Sequence, residues 1–154
     1  MPDNGEHSYL EQRQLVHFGL AVSDLDRMVA FFVDFLGFGL ERRLAPHDPG
    51  AVAGILGVSD ADIREIAYLH KKDWAVELLE FANVVQHRER SPTDPGYFHL
   101  LVECESFDAT VTAAGAHGFE AVAPPYLIAA GPNEGKHGTY LRHGDGFSLE
   151  VIGS

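Results

Sequence analysis

One cysteine, Cys104, and one tryptophan, Trp74, stand in a chain of 154 residues. A single thiol excludes an internal disulfide framework and fits a reducing compartment, so a cytoplasmic location is expected. Cys104 lies in an apolar strand pattern with no neighbouring base and reads as core rather than nucleophile. Basic residues are scarce: 11 Lys and Arg against 23 Asp and Glu leave a net charge of −12. Such a chain repels phosphate backbones and anionic lipid surfaces alike, so neither nucleic acid nor membrane is an expected partner. No apolar run reaches the length a bilayer demands. The polar, acidic residues 1–14 match neither a signal nor a transit peptide and read as a flexible tail.

What the chain does have is histidine, nine in all, in a strongly acidic setting that invites a search for metal ligands. Its length suits one domain, and 45% apolar residues suffice for a core that needs no covalent staple.

LVHFGLAV, residues 15–22, alternates as a half-buried strand does, with Val16, Phe18, Leu20 and Val22 on one face and His17 on the other. Ser23 and Asp24 offer a helix cap. Leu25, Met28, Val29, Phe32 and Leu36 then recur at helical spacing until Gly37. Residues 38–44 resume an extended pattern. Residues 45–62 read as a long loop with room for one short helix. Strands are expected over 63–70 and 75–81, about a turn at Lys72 and Asp73.

The pattern then repeats. FHLLVEC (98–104) is a strand, 107–116 a helix, Gly118 its stop, and strands follow at 138–142 and 147–152. His17 precedes Asp26 by nine residues, as His99 precedes Asp108. Two modules follow from this, 15–82 and 96–154, joined by a polar linker at 83–95 that carries two prolines. The expected fold class is α+β, with two sheets forming the walls of a cup and the helices outside.

Alternation puts His17, Glu77, His99 and Glu150 on the cup side of their strands, one His and one Glu from each module. Two carboxylates converging to about 4 Å repel by roughly 4 kcal/mol at an effective dielectric near 20, a cost that a cation reverses. Two imidazoles and two carboxylates suit one divalent first-row ion: Ni, Co, Zn, Mn or Fe.

HFGLAVSDLDRMVAFFVDFLGF (17–38), VELLEF (76–81) and YLRHGDGFSLEVI (140–152) resemble the signature segments of the vicinal-oxygen-chelate superfamily of glyoxalases, bleomycin-resistance proteins and extradiol dioxygenases. HGDG at 143–146 stands where that family usually carries Asp-Pro-Asp-Gly, and Asp145 and Gly146 keep the turn chemistry. The resemblance implies tandem βαβββ modules forming a cupped, incomplete barrel, with His17, Glu77, His99 and Glu150 as ligands to one divalent metal ion. It also implies pairing of modules within or between chains, with a homodimer expected. The expected chemistry is proton abstraction next to a carbonyl of a small chelated metabolite through an enolate-like intermediate, by a lyase, isomerase or epimerase. Glu150 is the first candidate for the base and Glu77 the second. Two alternatives stand beside it: an iron-dependent extradiol-type dioxygenase, against which a fourth protein ligand counts, and a metal-free drug-binding module.

The remaining histidines, His7, His47, His70, His87, His117 and His143, read as surface groups. His137 is a candidate for touching substrate, Glu80 a rim residue, and Tyr140, Tyr97, Phe81, Leu101 and Trp74 weaker candidates for lining the pocket.

Overall fold

A computed structural model describes residues 14–83 and 89–154. His7 and His87, nearly all of the predicted tail and five residues of the predicted linker lie outside the described residues. Two sheets organise the rest. The first contains β1 (Phe18–Val22), β2 (Gly39–Leu44), β3 (Ile63–Lys71) and β4 (Trp74–Phe81), in the order β1-β4-β3-β2. The second contains β5 (His99–Cys104), β6 (Phe119–Ala121), β8 (His137–His143) and β9 (Phe147–Gly153), in the order β5-β9-β8-β6, with the short β7 (Tyr126–Leu127) added along β8. In each sheet the first strand runs parallel to the last, and every other pairing is antiparallel. The helices are α1 (Leu25–Ala30), α2 (Pro49–Leu56) and α3 (Phe107–Gly115). The class is α+β, two βαβββ units whose sheets do not close into a barrel.

Local chemistry explains the first connection. Asp24 accepts a hydrogen bond from the Arg27 amide at 3.0 Å and so starts α1. Glu80 adds a second cap, accepting from the Leu25 amide at 2.8 Å while its other oxygen takes Arg64 at 2.7 Å. Glu80 is thus no rim residue: it holds the helix start onto β4. The predicted continuous helix changes pitch, and Phe31–Phe35 form a π-helical turn before Gly37 stops the chain at φ 72°. The wider turn sends two adjacent rings inward, and both Phe31 and Phe32 are fully buried.

Phe31 ties the modules together. Its ring lies 4.5 Å from that of Phe119 and 5.8 Å from that of His117, both in the second unit. One apolar cluster consequently contains Leu25, Met28 and Leu78 from the first half and Phe107, Leu141 and Leu149 from the second. The helix-facing sides of both sheets meet in this shared core, which leaves their other faces turned away from it.

Gly153 shows how close the backbones come. A Cβ there would lie 2.5 Å from Cys104 Sγ and 2.6 Å from the Cys104 carbonyl oxygen. Gly153→Ala is therefore expected to cost about 1–3 kcal/mol in urea denaturation, the usual range for overpacking. Adding Cys104→Ala is expected to restore only part of that loss, because the carbonyl contact stays.

Candidate functional site

His17 ends the extended stretch that leads into β1 and falls one residue before the strand proper. Its Nε2 lies 3.2 Å from Glu77 Oε2. β1 pairs in parallel with β4, and Glu77 lies opposite Gly19, where a Cβ would still clear Glu77 Oε2 at 3.7 Å. On the other side of β4, Glu77 pairs with Tyr68 of β3, whose hydroxyl donates to Glu77 Oε1 at 2.6 Å. The Arg42 guanidinium caps the Tyr68 ring at 4.4 Å. Desolvation, then the Glu77 carboxylate, raise the Tyr68 hydroxyl above the ordinary phenol value and keep it a donor.

The second unit repeats this arrangement. His99, the first residue of β5, places Nε2 3.3 Å from Glu150 Oε2. Tyr140 of β8 pairs with Glu150 of β9, and its hydroxyl donates to Glu150 Oε2 at 3.2 Å. The Tyr140 and His99 rings lie 5.3 Å apart. Burial, then the Glu150 charge, raise the Tyr140 hydroxyl as well. Each unit thus carries a His–Glu–Tyr set on corresponding strands. Tyr68 escaped the sequence reading. The repeat holds the signal that finds it, since Tyr68 precedes Glu77 by nine residues and Tyr140 precedes Glu150 by ten.

Within one chain the four predicted ligands fall into two pairs. Among the described residues, no group of three or more His, Cys, Asp or Glu side chains is gathered to hold one ion. None of the four belongs to the shared core. The pairs are also partly open, with side-chain exposures of 35% and 18% for His17 and Glu77 and 45% and 23% for His99 and Glu150. Leu101, on the same side of β5 as His99, is 51% exposed.

The donor geometry within each pair fits a metal. Two donors about 2.1 Å from an ion, at angles between octahedral and tetrahedral, lie about 3.0–3.4 Å apart. The observed separations of 3.2 and 3.3 Å fall inside that window.

Beside Glu150, a groove of about 360 Å3 is bordered by Val122, Tyr126, Ile128, Tyr140 and Ile152. The other sequence candidates are placed elsewhere. Trp74 is 65% exposed at the β3–β4 turn. Exposed His137 stacks near Phe107 at 5.6 Å. His143 is no surface group: its side chain is 13% exposed, with its ring packed against those of Phe119 and Phe147. Burial lowers its pKa below the ordinary 6.5, opposed by Asp145 and assisted by Arg27. The unfolded chain then binds more protons, so the stability owed to neutral His143 is complete above about pH 6.5 and falls as pH drops through the folded value. His143→Gln is expected to lose less stability than the parent between pH 7.5 and 5.5, measured by urea melts.

The fold is thus two βαβββ units, each with a His–Glu pair on its sheet. The model of the glyoxalase/bleomycin resistance protein/dioxygenase superfamily matches residues 14–151, and the chain belongs to that superfamily. A solved glyoxalase family protein from Bacillus cereus is similar to it at 22% identity and a TM-score of 0.68, over 92% of this chain and 96% of that one. The fosfomycin resistance protein FosX from Mesorhizobium loti aligns at 16% identity and a TM-score of 0.54, covering 91% and 90%. A FosX variant from Listeria monocytogenes, solved with Mn(II) and dihydroxypropylphosphonic acid, aligns at 16% identity and 0.54, covering 92% and 90%. At these identities the likeness is one of fold. No curated protein matches. Among the described residues, no helix is long and apolar enough to cross a membrane.

Proposed function

We propose that the protein is a divalent-metal-dependent lyase, isomerase or epimerase acting on a small metabolite with adjacent oxygens, working as a homodimer in the cytoplasm. In this reading His17 and Glu77 of one copy and His99 and Glu150 of another hold one ion, so that a dimer has two equivalent sites. The observation that carries it is the pair of matching His–Glu half-sites, each at the spacing of neighbouring metal donors. Their exposure, and that of Leu101 beside His99, is what faces awaiting a second copy would have.

Bound there, a divalent ion supplies Lewis-acid stabilisation of negative charge on a carbonyl oxygen. The chain's own groups do the rest. Glu150 takes the proton from the carbon next to that carbonyl, and Tyr140, hydrogen-bonded to Glu150 Oε2, keeps the carboxylate oriented. Glu77 and Tyr68 do the corresponding holding on the opposite wall. The apolar groove beside Glu150 receives the substrate's non-polar part and keeps water from the carboxylate.

Calorimetric titration of chelator-treated protein with Mn, Co, Ni, Fe or Zn salts tests the reading. One ion per chain is expected, with the sedimentation profile of a dimer. No binding of any of these ions would overturn it in favour of a metal-free binding module. Metal-dependent oxygen uptake with catechols would overturn it in favour of a dioxygenase.

A further inference from the structure

Two of the six described arginines pair with carboxylates, and Arg42 lies over the Tyr68 ring. Arg43 takes Asp26 and Glu65 at 2.6 Å each, and Arg64 takes Glu80. Arg27, Arg90 and Arg142 form no ion pair among the described residues, and all three line one cleft of about 900 Å3 between the two modules. Arg142 Nε is itself buried in the protein with no hydrogen-bond partner among the described residues, a donor left unmade at a cost of about 1–3 kcal/mol.

The backbone is shaped to admit these side chains. A Cβ on Gly118 would sit 3.4 Å from Arg27 Nη2, and one on Gly146 3.3 Å from Arg90 Cδ; both glycines have positive φ. Three carboxylates also line the cleft, and none forms an ion pair with Arg27, Arg90 or Arg142 among the described residues. Asp145 accepts from the Ser23 amide at 3.2 Å and lies 3.5 Å from His143 Nδ1. Glu120 and Glu89 are exposed, and Glu120 forms no ion pair with Arg142 although the two are register partners across β6 and β8. The described lining includes none of His17, Glu77, His99 and Glu150.

We propose that this inter-module cleft binds the oxyanion group of a small ligand, a phosphate or a carboxylate, through Arg27, Arg90 and Arg142. Guanidinium forks match the geometry of both groups, and three arginines lining one cleft suit a group that carries more than one negative charge. The site is separate from the His–Glu pairs and independent of the reaction assigned to them.

Isothermal titration with sodium phosphate, and separately with sodium malonate, at constant ionic strength tests it. Saturable binding of at least one anion is expected; the one that binds more tightly names the group the site takes. R142Q and R90Q are each expected to weaken binding at least about tenfold. E120Q, which removes a competing carboxylate, is expected to tighten it. His99→Ala is expected to leave it unchanged. Arg90 is exposed, so R90Q still reports if R142Q misfolds. The absence of saturable binding for both anions would overturn the proposal. So would binding that survives R90Q and R142Q, or binding abolished by His99→Ala, which would place the anion at the metal half-site instead.

Discussion

His99→Ala is expected to weaken divalent-metal binding at least about a hundredfold while leaving the metal-free melting temperature within a few degrees of the parent. Losing a residue that merely orients a ligand costs ten- to a hundredfold in affinity, so losing a ligand costs at least the upper end of that range. The fold tolerates the change because His99 is 45% exposed and stands outside the shared core. Metal should raise the melting temperature of the parent, since an ion that binds only the folded state stabilises it by mass action, and should leave that of His99→Ala unmoved. His17→Ala is expected to behave alike. Equal metal-induced shifts in parent and variants would remove both histidines from the ligand set.

The second large effect belongs to Glu150. Glu150→Gln keeps the shape and leaves an oxygen for the Tyr140 hydroxyl, yet removes the base. The expected loss is about 10²–10⁴-fold in the rate of proton exchange at the carbon next to a carbonyl, the span that general-base catalysis supplies. Deuterium uptake followed by NMR across a panel of 2-oxo acids and thioesters reads this directly. Glu77→Gln should cost less, because the apolar groove that would hold the reacting carbon lies beside Glu150. A larger loss for Glu77→Gln would reverse the assignment and leave the site in place.

Much of this was legible in the residue order, for reasons that can be named. Alternation in β4 and β9 is clear around the glutamates: Val76 and Leu78 are buried and Glu77 between them is not. Leu149 and Val151 are buried while Glu150 is not, although Ser148 and Ile152 on the Glu150 side of β9 are buried as well. Period-two patterning therefore reported the two-sheet fold and brought out the four His and Glu positions together. What it could not report was which faces meet. A strand pattern says that a face is apolar but not whether it covers its own module or a neighbour, and here Phe31 packs on Phe119 of the other unit. That long-range contact joins the two modules, and the His and Glu residues stand as two separate pairs within the chain. The π-helical turn was hidden likewise, since the spacing of apolar residues does not reveal a local widening of the helix at Phe31–Phe35. His143 was misjudged because a turn position looks exposed in sequence until the rings of Phe119 and Phe147 close on it.

Mixing two inactive chains measures the central point. His17→Ala and His99→Ala each spoil both sites of their own homodimer. A mixed dimer, in contrast, joins the intact His99–Glu150 pair of one chain to the intact His17–Glu77 pair of the other. Unfolding and refolding the two variants together in equal amounts should restore tight metal binding to about a quarter of the sites, because half the dimers are mixed and each regains one site of two. Metal binding that stays at the level of the separate variants, with mixed dimers demonstrably present, would contradict a site shared between copies.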